Sequence, residues 1–255
     1  MKTILGILLI AAPMGAQTAL APPQIGFVAD ANRSLRPLLG IAGNFVLGDS
    51  LADEVSDVAS SGAFALVKTN SAVTVLDSAG VALFTLDTDP GRAVFAFAAD
   101  GQPSRAWLPS QGLLLTWNAD HFESQPVHPE VLAGQVESVA PGRFAVKRAD
   151  GLWLVEIAAD GSLAAQAALP GVAGPLLLAA DGSLLYADGE ALVVRGADGT
   201  ERRIDTGAVI SQMAPLSANW LRFVERHTRR QFAVCTAAGR ERVLQLPEGA
   251  SCCER

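Results

Sequence analysis

Asp57 and Glu137 belong to two similar motifs, SDVA at 56–59 and ESVA at 137–140. Two carboxylates on either side of one glycosidic bond can act as acid and as base or nucleophile. Their distances from Ala59 and Ala140 differ by one residue, however, which on extended strands turns the two side chains to opposite faces. The plainer reading is a pair of carboxylates at strand mouths. A second candidate is the stretch WNADHFESQPVHPE, where His121 and Glu123 share a strand face and His128 could return to complete a two-histidine, one-glutamate metal set. Nothing in the sequence fixes that return, and the plainer reading of the same residues is a polar outer strand running into an inter-blade loop. No GxSxG elbow accompanies the three histidines, so a serine hydrolase is disfavoured.

The third candidate is an arginine cluster. In LRFVERHTRRQF, Arg222 is followed by Arg226, His227, Arg229 and Arg230 at the predicted tip of a hairpin. Arginines there can hold a carboxylate, a phosphate or an acidic protein partner with forked hydrogen bonds, or can simply keep a turn solvated. Charge elsewhere points away from nucleic acid. With 26 acidic and 19 basic residues the net charge is −7, and a phosphate backbone needs a basic footprint. None of these patterns calls for a cofactor.

These side chains must be positioned by a repeat. A large apolar residue followed by alanine recurs as Val58-Ala59, Phe97-Ala98, Val139-Ala140, Leu178-Ala179 and Met213-Ala214, and a four-stranded propeller blade is typically about 40 residues long. Two further apolar segments follow each pair. In four of the five copies a turn then leads to a last strand: DSAG at 77–80, AADG at 158–161, GADG at 196–199 and TAAG at 236–239. Four strands joined by hairpins make one blade. Ahead of the first copy, Phe27 to Ala29 and Leu35 to Leu39 read as one more strand pair, so five blades with an extra hairpin and six with an incomplete blade both remain open.

The stretch AADGSLLYADGEALVVRGADGT, residues 179–200, carries three Asp-Gly pairs. Asp-Gly tolerates the positive φ of tight hairpins, so each pair reads as a turn. A calcium site is the weaker reading, because neither the EF-hand spacing nor GGxGxD occurs.

The repeat resembles the degenerate β-propellers of exported bacterial proteins, the broad YVTN- and NHL-type group, over roughly Ile25 to Leu246. SLRPLLGIAGNFVLG also resembles an uncharacterised family of such proteins. The resemblance implies an all-β propeller and an exported location, and it implies no activity.

Residues 1–16 have the charged, apolar and small-residue order of a secretory signal peptide, with an apolar run too short to span a bilayer, which needs about 20 residues. The expected division is a signal peptide at 1–16, a linker at 17–24, a propeller at 25–250 and a cysteine tail at 251–255. Stable membrane insertion is not expected once the signal is removed. Export permits disulfides, and Cys235 with Cys252 or Cys253 is the expected pair, the alternative being three thiols. A bridge closing a loop of that length contributes about 3 kcal/mol. Its leftover thiol is available to link two chains, so the oligomeric state stays open. The expected role is a binding or scaffold module for a protein or anionic ligand, with a carbohydrate-active or metal-dependent hydrolase as the alternative. Mass spectrometry of the exported fraction should find the mature N-terminus between Gly15 and Pro22, and an intact Met1 there would rule out the signal peptide.

Overall fold

The computed structural model describes residues 22–128 and 130–248. The chain forms a six-bladed β-propeller of antiparallel sheets. Blade 1 comprises β1 (Gln24–Ala29), β2 (Leu35–Ile41) and β3 (Asn44–Leu47). Blade 2 comprises β4 (Asp57–Ser60), β5 (Phe64–Lys68), β6 (Ala72–Asp77) and β7 (Ala82–Asp87). Blade 3 comprises β8 (Val94–Phe97), β9 (Pro103–Leu108), β10 (Leu113–Asn118) and β11 (His121–Pro126). Blade 4 comprises β12 (Gln135–Ala140), β13 (Arg143–Arg148), β14 (Gly151–Ile157) and β15 (Leu163–Ala168). Blade 5 comprises β16 (Leu176–Leu178), β17 (Leu184–Asp188), β18 (Ala191–Arg195) and β19 (Glu201–Asp205). Blade 6 comprises β20 (Ile210–Ser217), β21 (Trp220–Glu225), β22 (Gln231–Cys235) and β23 (Arg242–Gln245).

Five repeat copies therefore become blades 2 to 6, and each apolar-alanine pair lies on or at the end of an innermost strand. The reason is burial on both faces: these short strands are packed between neighbouring blades, so polar alternation gives way to apolar residues. The three Asp-Gly pairs sit in the three hairpins of blade 5, with Gly182, Gly189 and Gly199 at φ 87°, 63° and 83°. Asp181 and Asp198 spend their carboxylates within those turns, accepting the amides of Ser183 at 2.8 Å and Thr200 at 3.0 Å.

The core is divided rather than central. Six apolar clusters occupy the six junctions between adjacent blades, for example Trp107 against Phe144 between blades 3 and 4, and Leu192 with Phe223 between blades 5 and 6. Each sheet thus buries both faces against its neighbours, and the ring must close for the last pair of faces to leave water.

The N-terminal pair expected from the sequence is a three-stranded blade, since Asn44–Leu47 adds β3. Gln24 already belongs to β1, one residue earlier than the expected boundary. Strand direction tells which strand blade 1 lacks among the described residues. In blades 2 to 5 the fourth strand leads into the next innermost strand, and β3 leads into β4 in the same way. Counting back through the antiparallel pairs makes β1 the equivalent of a second strand, so the innermost position is missing.

The inner strands of blades 2 and 6 close over that gap. The Ser60 hydroxyl, fully buried, donates to the Leu216 carbonyl of β20 at 2.6 Å and accepts the Phe27 amide of β1 at 3.2 Å. One oxygen joins blades 1, 2 and 6. Gly26 makes the approach possible, because a Cβ there would lie 2.4 Å from both the Leu216 oxygen and the Ser60 Oγ. Val28, Leu38, Leu216, Ala233 and Leu246 seal the junction of blades 1 and 6.

Two substitutions test the closure. Ser60→Ala leaves a buried donor and acceptor unmatched and should cost about 1–3 kcal/mol in chemical unfolding. Gly26→Ala should cost about the same by overpacking. The two share one contact, so the double variant should fall short of the sum. Full additivity would show that Ser60 and Gly26 do not act at a common clasp.

Candidate functional site

A cavity of ≈ 710 Å³ runs along the propeller axis and receives residues from all six blades. Its share is uneven. Blades 4 and 5 contribute one residue each, Glu137 and Leu177, whereas blades 1, 2, 3 and 6 supply the rest. The missing innermost strand of blade 1 explains the bias. Strand β21 presents Leu221 and Phe223 to the blade 5 junction, so Arg222 and Val224 face blade 1, where no inner strand shields them from the cavity.

Asp57 and Glu137 both line this cavity, contrary to the expectation of opposite faces. The cause is a register shift in the β12–β13 pair between Val136 and Ser138, which leaves Glu137 as the extra residue. A bulge of this kind re-aims the side chain it carries. The two carboxylates differ in surroundings. Asp57 accepts the Ala93 amide at 3.0 Å and faces the Arg92 guanidinium at 3.4 Å. Burial raises the Glu137 carboxyl above its ordinary pKa against the opposing pull of Lys147 and Arg92, which moves it toward the protonated form. Lys68, opposite Asp57 in β5, is fully buried, and its ammonium donates to the Thr69 carbonyl while burial pulls its pKa down.

The arginine cluster is split by the fold. Arg226, His227, Arg229 and Arg230 are exposed in the β21–β22 turn, and of these Arg229 and Arg230 line the cavity mouth. Arg229 adopts a φ of 62° and reaches the Ser211 hydroxyl at 3.5 Å, while Arg230 meets Glu248 at 3.3 Å. Arg33, at a φ of 62° in the β1–β2 turn, completes the mouth by donating to the carbonyls of Val55 and Glu54.

Arg222 is different. It lies inside the cavity, where desolvation lowers its pKa to about 10 against the opposing attraction of the Asp57 carboxylate. Among the described residues it forms no ion pair and makes one side-chain hydrogen bond, to the Gln231 oxygen at 3.3 Å. Gln231 is in turn fixed by donating to the Ala29 carbonyl at 2.8 Å.

The remaining candidates stay apart. His121 and Glu123 lie on β11, the outer strand of blade 3, where His121 meets Asp120 at 2.8 Å and Glu123 at 3.9 Å. His128, in the following loop, faces Glu130 at 3.9 Å. Among the described residues no three His, Cys, Asp or Glu side chains are grouped to hold a metal ion. Cys235 is buried in β22, and its proposed partners Cys252 and Cys253 lie outside the described residues, as do the signal peptide and most of the linker. No described helix is long and apolar enough to cross a membrane.

This geometry defines a six-bladed β-propeller with an axial cavity and an arginine-rich mouth. No family model matches the chain, and no curated protein matches it in sequence. Among solved structures it is similar in fold to a protein of unknown function from Bacteroides caccae, with a TM-score of 0.53 and 16% identity over 89% of this chain and 94% of that one. A streptogramin B lyase gives a TM-score of 0.46 at 12% identity over 91% and 86%. The Pan2 WD40 domain of Neurospora crassa gives 0.44 at 10% identity over 89% and 81%.

The tip turn is organised by Glu225. Hydrogen bonds from the Thr228 hydroxyl, and from the His227 and Thr228 amides, hold its carboxyl at about 2, below the ordinary 4.5. A lowered folded pKa means that the stabilisation is complete above the unfolded value and is lost as pH falls through the folded one. The melting temperature should therefore fall between pH 4.5 and 2 more steeply in the wild-type protein than in Glu225→Gln. Parallel pH profiles would remove Glu225 as the organiser of the tip.

Proposed function

We propose that this protein is an exported, non-catalytic propeller of the YVTN/NHL-like type that binds an anionic group of a protein or ligand partner at its cavity mouth. The observation that carries this reading is the convergence of Arg33, Arg92, Arg229 and Arg230 on one opening of an otherwise acidic chain. Arginine forks suit carboxylates and phosphates, and rigid propeller ends commonly hold their binding residues on loops. Arg226 and His227 extend the same basic tip outward.

A hydrolase reading is favoured by one observation: Asp57 and Glu137 share the cavity in unlike electrostatic settings, as an acid and its partner carboxylate must. Against it, Asp57 is already committed to Arg92 and the Ala93 amide.

Replacing Arg226, Arg229 and Arg230 together by Ala should reduce capture of partners from the native exported fraction, with the melting temperature unchanged. Capture by the wild-type protein should also weaken with salt, since exposed charges are screened beyond about 10 Å at 0.1 M. Glycosidase or metal-dependent activity that disappears in Asp57→Asn, Glu137→Gln or His121→Ala, with the arginine triple variant unaffected, would establish the hydrolase instead.

A further inference from the structure

The interior wall of the cavity holds a cation that the rim does not need. Arg222 is the second-strand residue uncovered by the three-stranded blade 1, and the Gln231 amide, tied to the Ala29 carbonyl, braces it from one side. Three carboxylates of the lining are paired, Asp57 with Arg92, Glu248 with Arg230, and Asp30 with Arg36 at 2.8 Å, whereas Arg33 and Arg229 are held by backbone carbonyls and by the Ser211 hydroxyl. Glu137 stands on the blade 4 side of the same cavity. A half-buried guanidinium without a bonded anion carries part of a desolvation cost, and a ligand anion offsets it.

We propose that Arg222 is the anchor of an interior site for a small polyhydroxylated monocarboxylate, such as a sugar acid, whose carboxylate takes the free edge of the guanidinium. The size fits, because ≈ 710 Å³ falls within the range of about 300–1,000 Å³ typical of small-molecule cavities. A monoanion suits the single Arg222 guanidinium on the inner wall, whereas a phosphate dianion would bring surplus negative charge near Asp57 and Glu137. Gln212 and Glu137 offer hydrogen bonds to hydroxyl groups, and Leu177 and Met213 supply an apolar surface for the carbon skeleton. The site goes beyond the rim reading and stands separately from it, since it binds a small molecule without Arg226, Arg229 or Arg230.

Calorimetric titration of the purified mature protein with glucuronate, galacturonate and gluconate tests it, with glucuronamide, glucose and glucose 6-phosphate as controls. At least one of the three acids should bind saturably, and removing the charge, as glucuronamide does for glucuronate, should weaken binding roughly 10- to 100-fold, the range for hydrogen bonds to a charged group. Arg222→Gln should lose a similar factor, and the rim triple variant should retain the affinity. If Arg222→Gln fails to fold, the Arg222 side-chain N–H resonances of the wild-type protein supply the second measurement, and they should shift on addition of the acid. Absence of binding by all three acids, equal binding of acid and amide, tighter binding of the phosphate, loss of affinity in the rim variant, or Arg222 resonances unmoved at saturation would each overturn the proposal.

Discussion

The Ser60 hydroxyl is the contact on which the ring depends. It is bonded to strands of blades 1 and 6 while belonging to blade 2, so it stands where the chain's beginning meets its end. Closure here is non-covalent among the described residues: all three strands of blade 1 come from the N-terminal side, and β23 completes blade 6 alone. Burial of the last apolar junction, with Leu216 and Leu246 against Val28 and Leu38, rests on the approach that Gly26 and Ser60 permit.

The same economy creates the cavity's chemistry. A full blade 1 would place an inner strand across the face of β21, and Arg222 would then lie within a blade junction, where an unpaired charge is prohibitive. With three strands, that face borders the axial space, and a guanidinium can be kept there, partly desolvated and braced by Gln231. The defect in the sheet and the cation in the cavity are two consequences of one strand count.

Charge around the mouth is sorted by how each group is satisfied. Arg92 is paired with Asp57 and Arg230 with Glu248, so these two are compensated by carboxylates, while Arg33 keeps its charge and is held in place by backbone carbonyls. Exposed pairs of this kind contribute little stability.

Much of the architecture was legible in the sequence, because it follows from local chemistry. Apolar-alanine pairs mark strands buried on both faces, and Asp-Gly marks turns that need positive φ, so blades 2 to 6 could be read with their hairpins. Blade 1 was read only in part. Its third strand, Asn44–Leu47, is short and partly exposed, and it lacks the periodic signal. The site was legible as residue types and not as an arrangement. Arg222 looked like one more arginine of a hairpin tip, and Asp57 and Glu137 looked as if they faced apart. A bulge at Glu137 and a strand missing from blade 1 decided otherwise. Sequence by itself determined the period, the turns and the acidic balance, since these depend on neighbours a few residues away. Which side chains share the cavity was decided only by the closed ring, because that depends on register and on contacts such as Ser60 with Leu216, 156 residues apart.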